Sequence, residues 1–236
     1  MKAIILAAGR GRRFTKNHSI IHKSLLKINN LPLIERQIKI LQKHSITEIW
    51  VVIGHNSVKI KEEIKKYNVN FLYNKNYKKT DTLESFCIAK HVIDDELITL
   101  YADVIFEEKI INNILNQKHD DIILSIEKSG TDEDDMKTYV ENNFVKKIDK
   151  HLSSSDSNSK YIGIAKFSKN GSKTFKKYLE KFEKEKSLEG DVSRVFEEII
   201  KNKYEIHANF TDNLVWFNVN TSYLFKKAKK YFENKK

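Results

Sequence analysis

The chain has 236 residues, with Lys+Arg 43 against Asp+Glu 32, a net charge of +11 and a single cysteine, Cys87. This length holds one large domain or two small ones around a sizeable core, and one cysteine excludes both a disulfide framework and a cysteine-rich zinc site. No run of 18 apolar residues exists to span a membrane, and AIILAA is followed too soon by arginines to be a secretory core, so the expected location is the cytoplasm.

From the N-terminus, short apolar runs alternate with amphipathic stretches. Ala3–Ala8 reads as a strand, Leu33–His44 as a helix, Glu48–Ile53 as a strand and Val58–Tyr67 as a helix. Asn70–Tyr73 is a third strand, followed by a helix from Asp81 to about Val92, a strand at Glu96–Tyr101, a helix at Glu108–Asn116 and a strand at Asp121–Ile126. Such alternation predicts an α/β fold, Rossmann-like, with a mostly parallel central sheet covered by helices on both faces.

The second half is less regular. Gly130–Asp135 is a charged loop, Met136–Val140 and Asn143–Ile148 form a hairpin pattern, and His151–Lys160 is a serine-rich surface loop. Tyr161–Phe167 resumes as a strand, so that loop is no domain linker. Helices are expected near Gly171–Lys184 and Asp191–Lys201, strands at Tyr204–Ala208 and Leu214–Val219, and a lysine-rich helix from about Ser222. The expectation is one domain over 1–236 with small insertions in its second half.

The strongest chemical signal is the opening MKAIILAAGRGRRF. A strand runs out through two glycines and three arginines, and in open parallel sheets ligands bind beyond the carboxyl ends of strands. Glycine lets the backbone approach an anion and turn its N–H groups toward it. A dinucleotide fingerprint would need glycine or alanine where Phe14 stands, and no Walker A string is present. What remains is AAGxGxR, with Gly9, Gly11 and Arg13, and Lys23 ten residues later.

These pieces resemble the nucleotidyltransferases that activate small phosphorylated metabolites, the sugar-phosphate nucleotidyltransferases among them. Their first strand ends AAGxGxR, then comes a lysine in a PKxL-like segment, then PLIE. Here KAIILAAGRGRRF, HKSLLKI and NNLPLIERQI follow in that order, with His22 in place of the usual proline. The resemblance implies Arg13 and Lys23 as catalytic residues and Leu6, Ala7, Ala8, Gly9 and Gly11 around the nucleotide. Asp103 in LYADVIF and Asn220 in WFNVNTSYLF match the family's two metal positions, implying Mg²⁺. Asn218 has the same alternation as Asn220 but lies outside the matched slot.

NKNYKKTDTLESF corresponds to the segment that closes over base and ribose, with Thr80, Asp81, Thr82 and Ser85 as candidates. The same residues are ordinary helix caps. The layout of Asn74–Ser85, the short length and the lack of a C-terminal repeat domain look most like cytidylyltransferases for phosphocholine and related headgroups. That implies transfer of CMP from CTP to a small phosphorylated or phosphonate acceptor with release of pyrophosphate. Headgroup activation for a capsule or other surface glycan or lipid fits such a reaction.

The expected partners are a nucleoside triphosphate and that acceptor, with no nucleic acid and no membrane, and a homodimer stays open. For the acceptor, Asp135, Lys137 and Asp191 are candidates. Binding a quaternary ammonium favours aromatic walls, and GTDEDDMKTYV offers Tyr139 alone. Glu133, Asp134 and Asp135 suit a primary amine or are simply solvated, while Asp191 either caps a helix or lines the pocket. Lys160 and Lys166 do not stand out among so many lysines.

Two other function classes remain open. A sugar-1-phosphate uridylyl- or thymidylyltransferase would share the same loop. A basic nucleic-acid-binding module would explain the charge, but the basic residues form no stripe with interleaved aromatics.

Overall fold

The computed structural model describes residues 1–11, 22–118, 120–128 and 132–234. β1 (Lys2–Ala7) leads, through a 3₁₀ turn at Lys23–Leu25, to a small hairpin of β2 (Lys27–Ile28) and β3 (Leu31–Pro32). Asn29 and Asn30 turn that hairpin at φ 53° and 58°, the left-handed pair that matches strand twist and that asparagine tolerates. Pro32 then stands at the N-cap of α1 (Leu33–Lys43), where its missing N–H costs nothing. β4 (Glu48–Ile53), α2 (Ser57–Ile64), β5 (Asn70–Tyr73), α3 (Thr82–Ala89) and β6 (Leu97–Tyr101) follow as the alternation predicts.

β7 (Val104–Phe106), α4 (Glu108–Asn116) and β8 (Ile122–Glu127) come next, then the hairpin β9 (Met136–Glu141) and β10 (Phe144–Asp149). β11 (Ser159–Phe167), α5 (Lys169–Lys184), α6 (Ser193–Lys201), β12 (His207–Phe210), β13 (Trp216–Asn218) and α7 (Ser222–Asn234) complete the described elements. Relative to the sequence reading, β12 starts three residues later, β13 is shorter, and β7 was not expected.

Among the described residues the main sheet has nine strands in the order β5-β4-β1-β6-β11-β8-β12-β10-β9. The first four are mutually parallel, with Ile5 opposite Val51 on one side and Leu100 on the other. β11 then enters antiparallel to both β6 and β8, and only β8–β12 is parallel in the other half. The sheet is therefore mixed, which corrects the mostly parallel expectation. The physical reason is connection chemistry. A parallel pairing needs a crossover, whereas chain that turns back directly pairs antiparallel, as β9, β10 and β11 do.

Alternate residues of β1 face two separate cores. Ile4 and Leu6 pack with Leu83 and Phe86 of α3, Phe175 of α5 and Phe196 of α6. Ala3 and Ile5 pack with Ile34 and Ile38 of α1, Ile60 of α2 and Ile110 of α4. A strand covered on both faces reads as a continuous apolar run, which is why β1, β4 and β6 were visible in the sequence. A third cluster joins α7 to the β2–β3 hairpin through Ile28, Val219, Ala228 and Phe232.

Candidate active site

The carboxyl ends of β1 and β6 open into a cleft of about 580 Å³. Its floor begins with Leu6, Ala7, Ala8, Gly9 and Gly11, all of which line it. Gly11 has φ +62°, a conformation that L side chains adopt at a cost, and a Cβ there would stand 3.2 Å from Lys23 Cγ. Gly9 by contrast has nothing within 4 Å of where a Cβ would go. Gly54, just after β4, allows the closest approach: a Cβ would meet the Ala8 carbonyl at 2.9 Å and Tyr77 Cβ at 2.7 Å. Two strand ends and the segment at Tyr77 thus come together because that position carries no side chain.

Lys23 is the centre of the arrangement. Its Nζ donates to Asp103 Oδ2 at 2.9 Å and to Asn220 Oδ1 at 2.6 Å. Its side chain is 10 % exposed, against 27 % for Asp103. The small sheet brings these distant positions together. β13 pairs antiparallel with β7, Asn218 opposite Val104, and Val219 N donates to the Asp103 carbonyl at 2.8 Å. His22 caps the 3₁₀ turn that carries Lys23, its Nδ1 accepting from Ser24 N at 3.2 Å. Burial holds the His22 imidazole down at about 4, so it is neutral at physiological pH.

Thr80, Asp81, Thr82 and Ser85 all line the cleft, with different partners. Asn74, 1 % exposed, ties two of them: its Nδ2 donates to Ser85 Oγ at 3.2 Å and to Thr80 Oγ1 at 3.5 Å. Asp81 caps α3 through Thr82 N at 2.8 Å. Thr82 looks the other way, its hydroxyl donating to Asp191 Oδ2 at 2.8 Å and accepting from Val192 N at 2.9 Å. Asp191 also accepts from Ser193 N at 2.9 Å, so it both lines the cleft and holds the start of α6. Burial raises its carboxyl to about 6, the neighbouring Asp81 charge adds to that, and the bonds from Thr82 and Ser193 oppose it.

The far wall is built from the second half of the chain. Asp134, Asp135, Met136, Lys150, Tyr161, Gly163 and Trp216 line it, and Asp134 pairs with Lys150 at 3.4 Å. Tyr101 and Tyr161 meet edge to face at 6.0 Å, and burial raises both phenols. Lys137 does not line the cleft; its ammonium donates to the Leu152 carbonyl at 3.0 Å. Strand alternation along β9 turns that side chain away, which its sequence neighbourhood did not reveal. Arg13 lies outside the described residues.

Residues 3–156 match the family model of the MobA-like NTP transferase domain. The chain belongs to this family. Choline-phosphate cytidylyltransferase of Haemophilus influenzae is 36% identical over 110 residues, 47% of this chain and 47% of that protein. The match therefore spans about half the length of that relative. CTP:phosphoglutamine cytidylyltransferase of Campylobacter jejuni is 28% identical over 186 residues, 71% of this chain and 73% of that one. Among solved structures, a CTP:phosphocholine cytidylyltransferase of Streptococcus pneumoniae superposes with a TM-score of 0.79 at 19% identity, covering 98% of both chains. The inositol-1-phosphate CTP transferase of T. maritima gives 0.82 at 17% identity over 97% of this chain and 93% of that one. At these identities the superpositions show a shared fold.

In this MobA-like NTP transferase the glycine loop, Lys23, Asp103, Asn220 and the Thr80–Ser85 segment all meet at one cleft. Lys150, Tyr101, Tyr161 and Trp216 complete it without a sequence signal of their own. Lys150 is one lysine among many, and the aromatics come from strands rather than from the acidic segment that precedes β9. Among the described residues no group of three or more acids, histidines or cysteines is placed to hold a metal. Asp103 and Asn220 offer hard oxygen donors that already share one cation, the Lys23 ammonium, so the donor set fits Mg²⁺ only with phosphate oxygens or water completing the shell. No helix among the described residues is long and apolar enough to cross a membrane.

Proposed function

We propose that the chain, as one nucleotidyltransferase domain, transfers CMP from CTP to a phosphate or phosphonate oxygen of a small acceptor. The observation that carries this reading is the convergence of Lys23, Asp103 and Asn220 beside the Gly9–Gly11 loop. CTP is favoured because the Haemophilus influenzae and Campylobacter jejuni relatives are named cytidylyltransferases.

An oxygen of the acceptor attacks the α-phosphorus, the bond from that phosphorus to the β-phosphate bridging oxygen breaks, and pyrophosphate carries away the electron pair. The attacking oxygen is already anionic, so no general base is needed. The protein's task is to hold like charges together and in line, which is positioning and electrostatics. The loop after β1 offers backbone N–H groups to the triphosphate. Lys23 stabilises charge at the α-phosphate, and the family resemblance gives Arg13 the role of gripping the departing pyrophosphate. Asn74 fixes Thr80 and Ser85, which leaves short polar groups and backbone to read the base. Mg²⁺, held by Asp103 and Asn220, supplies charge neutralisation across the phosphates when bound. The acceptor occupies the wall that contains Asp135, Lys150 and Asp191.

Sugar-nucleotide chemistry remains the second reading, since neighbours of that kind share the fold, including UDP-glucose pyrophosphorylase at a TM-score of 0.77. Thermal unfolding with Mg²⁺ and each of CTP, UTP, dTTP, GTP and ATP separates the two. A ligand at one hundred times its Kd stabilises by about 2.7 kcal/mol. A shift with CTP alone supports the cytidylyltransferase, a shift with UTP or dTTP alone supports the alternative, and none with any of the five overturns both.

A further inference from the structure

Charges along the cleft are sorted. Arg10, Lys23, Lys78 and Lys79 outnumber Asp81 and Asp103 on the side of the β1 loop, β6 and the α3 entry, whereas Asp134, Asp135 and Asp191 outnumber Lys150 on the side of β9, β11 and α6. An acceptor that is anionic where it reacts and cationic at its other end would match both sides.

The acidic wall also holds two oxygen acceptors that receive no hydrogen bond from the described residues. Asp135 accepts two bonds on one oxygen: Lys160 Nζ at 3.0 Å and Asp132 N at 2.8 Å each reach Oδ2. Its Oδ1 receives no hydrogen bond from the described residues. Asn218 Oδ1 is buried and likewise without a partner among them. Asn218 and Trp216 are two apart on β13, so they share a face, and both line the cleft.

The groups behind this wall are arranged to hold it still. Trp216 Nε1 donates to Glu127 Oε2 at 3.1 Å, and Thr211 Oγ1 donates to the same oxygen. Lys160 lies opposite Glu127 in the register of β11 and β8. It pairs with Asp135 and stands over the Trp216 ring at 5.7 Å, yet it is not among the residues that line the cleft. Lys160 and Glu127 therefore brace Asp135 and Trp216 from outside.

We infer that the acceptor's distal group is a primary ammonium, received by Asp135 Oδ1, Asn218 Oδ1 and the Trp216 ring, with Glu127 and Lys160 as positioning residues. This rests on the nucleotidyl-transfer reading above. The discriminating point is hydrogen-bond supply. A primary ammonium brings three N–H donors to two oxygens that receive none from the described residues. A trimethylammonium satisfies an aromatic face but leaves both oxygens unpaired, and sites built to hydrogen-bond a group reject analogues that lack it.

The test uses the full chain with CTP and Mg²⁺ and three acceptors: phosphoethanolamine, phosphocholine and the uncharged n-propyl phosphate. Pyrophosphate release should favour phosphoethanolamine by at least about tenfold in kcat/KM over either analogue. Asp135→Asn and Asn218→Leu should raise KM for phosphoethanolamine about tenfold and remove most of its advantage over n-propyl phosphate. Glu127→Leu should also raise that KM, and Glu127→Gln, which still accepts from the indole, should restore it. Equal use of the three acceptors, preference for phosphocholine, or no turnover of phosphoethanolamine by a protein that CTP stabilises would overturn this inference alone. Absence of any CTP stabilisation would overturn the CMP-transfer reading on which it rests.

Discussion

Lys23 and Asp103, 80 residues apart in the chain, meet at 2.9 Å, and the Asn220 carbonyl closes on the same ammonium at 2.6 Å. The lysine is nearly buried, so its charge is held in a fixed place before any ligand arrives. Catalysis by preorganised charge depends on that fixity.

Lys23→Met keeps the aliphatic stem and removes the ammonium. Turnover should fall by about 10²–10³-fold, while the far-ultraviolet circular dichroism stays native. Loss of two hydrogen bonds from a charged donor should lower stability by about 1.5–3 kcal/mol in urea unfolding. Turnover within a few-fold of the parent would remove Lys23 from the reaction.

The two glycines of the opening loop should separate stability from ligand binding. Gly9→Ala meets no atom within 4 Å, so its unfolding midpoint should match the parent. If phosphates approach that backbone, the same methyl should weaken nucleotide binding, read as a smaller CTP-induced thermal shift. Gly11→Ala adds left-handed strain of about 1–2 kcal/mol and presses on Lys23 Cγ, so both stability and turnover should drop. An undiminished CTP shift in Gly9→Ala would argue against a phosphate at that position.

Much of this site was legible in the sequence because its parts follow strand ends. The loop after β1 and Asp103 after β6 could be placed from continuous apolar runs, which doubly covered strands must have. Asn220 could be placed from its surrounding motif. β7 escaped notice because three residues give no periodicity, yet its pairing with β13 is what delivers Asn220 to Asp103. The mixed half of the sheet was also hidden. Val145 and Ile164 are equally apolar whichever way a strand runs, so composition carries no direction. Trp216 and Lys150 were missed for the related reason that their roles depend on contacts across the chain rather than on neighbours in it.

Acid titration should expose two desolvated groups with opposing effects. The Asp191 carboxyl, raised to about 6 from 3.8, keeps its proton in the folded state where the unfolded chain has lost it. Its contribution to stability therefore falls as pH rises through that interval. The His22 imidazole, lowered to about 4 from 6.5, stays neutral in the folded state while the unfolded chain gains a proton. Its contribution falls as pH drops from 6.5 to 4. Relative to the parent, Asp191→Asn should lose stability more steeply on acidification and His22→Gln less steeply. Urea unfolding at intervals between pH 4 and 7 reads both slopes, and parallel curves for all three proteins would contradict the desolvation of these groups.

Asn220 offers the sharpest test of the metal reading. A carbonyl oxygen is a neutral ligand, so Asp103 alone brings charge to the pair of oxygens that now share Lys23. Metal should therefore bind chiefly together with the nucleotide, whose phosphates supply the missing anionic oxygens. Asn220→Asp adds a second carboxylate at the same point. The Mg²⁺ concentration giving half of the CTP-dependent thermal shift should fall several-fold in this variant, and Asp103→Asn should raise it. Both changes are read from unfolding curves and need no acceptor. If neither substitution moves the Mg²⁺ midpoint, the metal is held elsewhere, and the contact with Lys23 is then the whole purpose of these two oxygens.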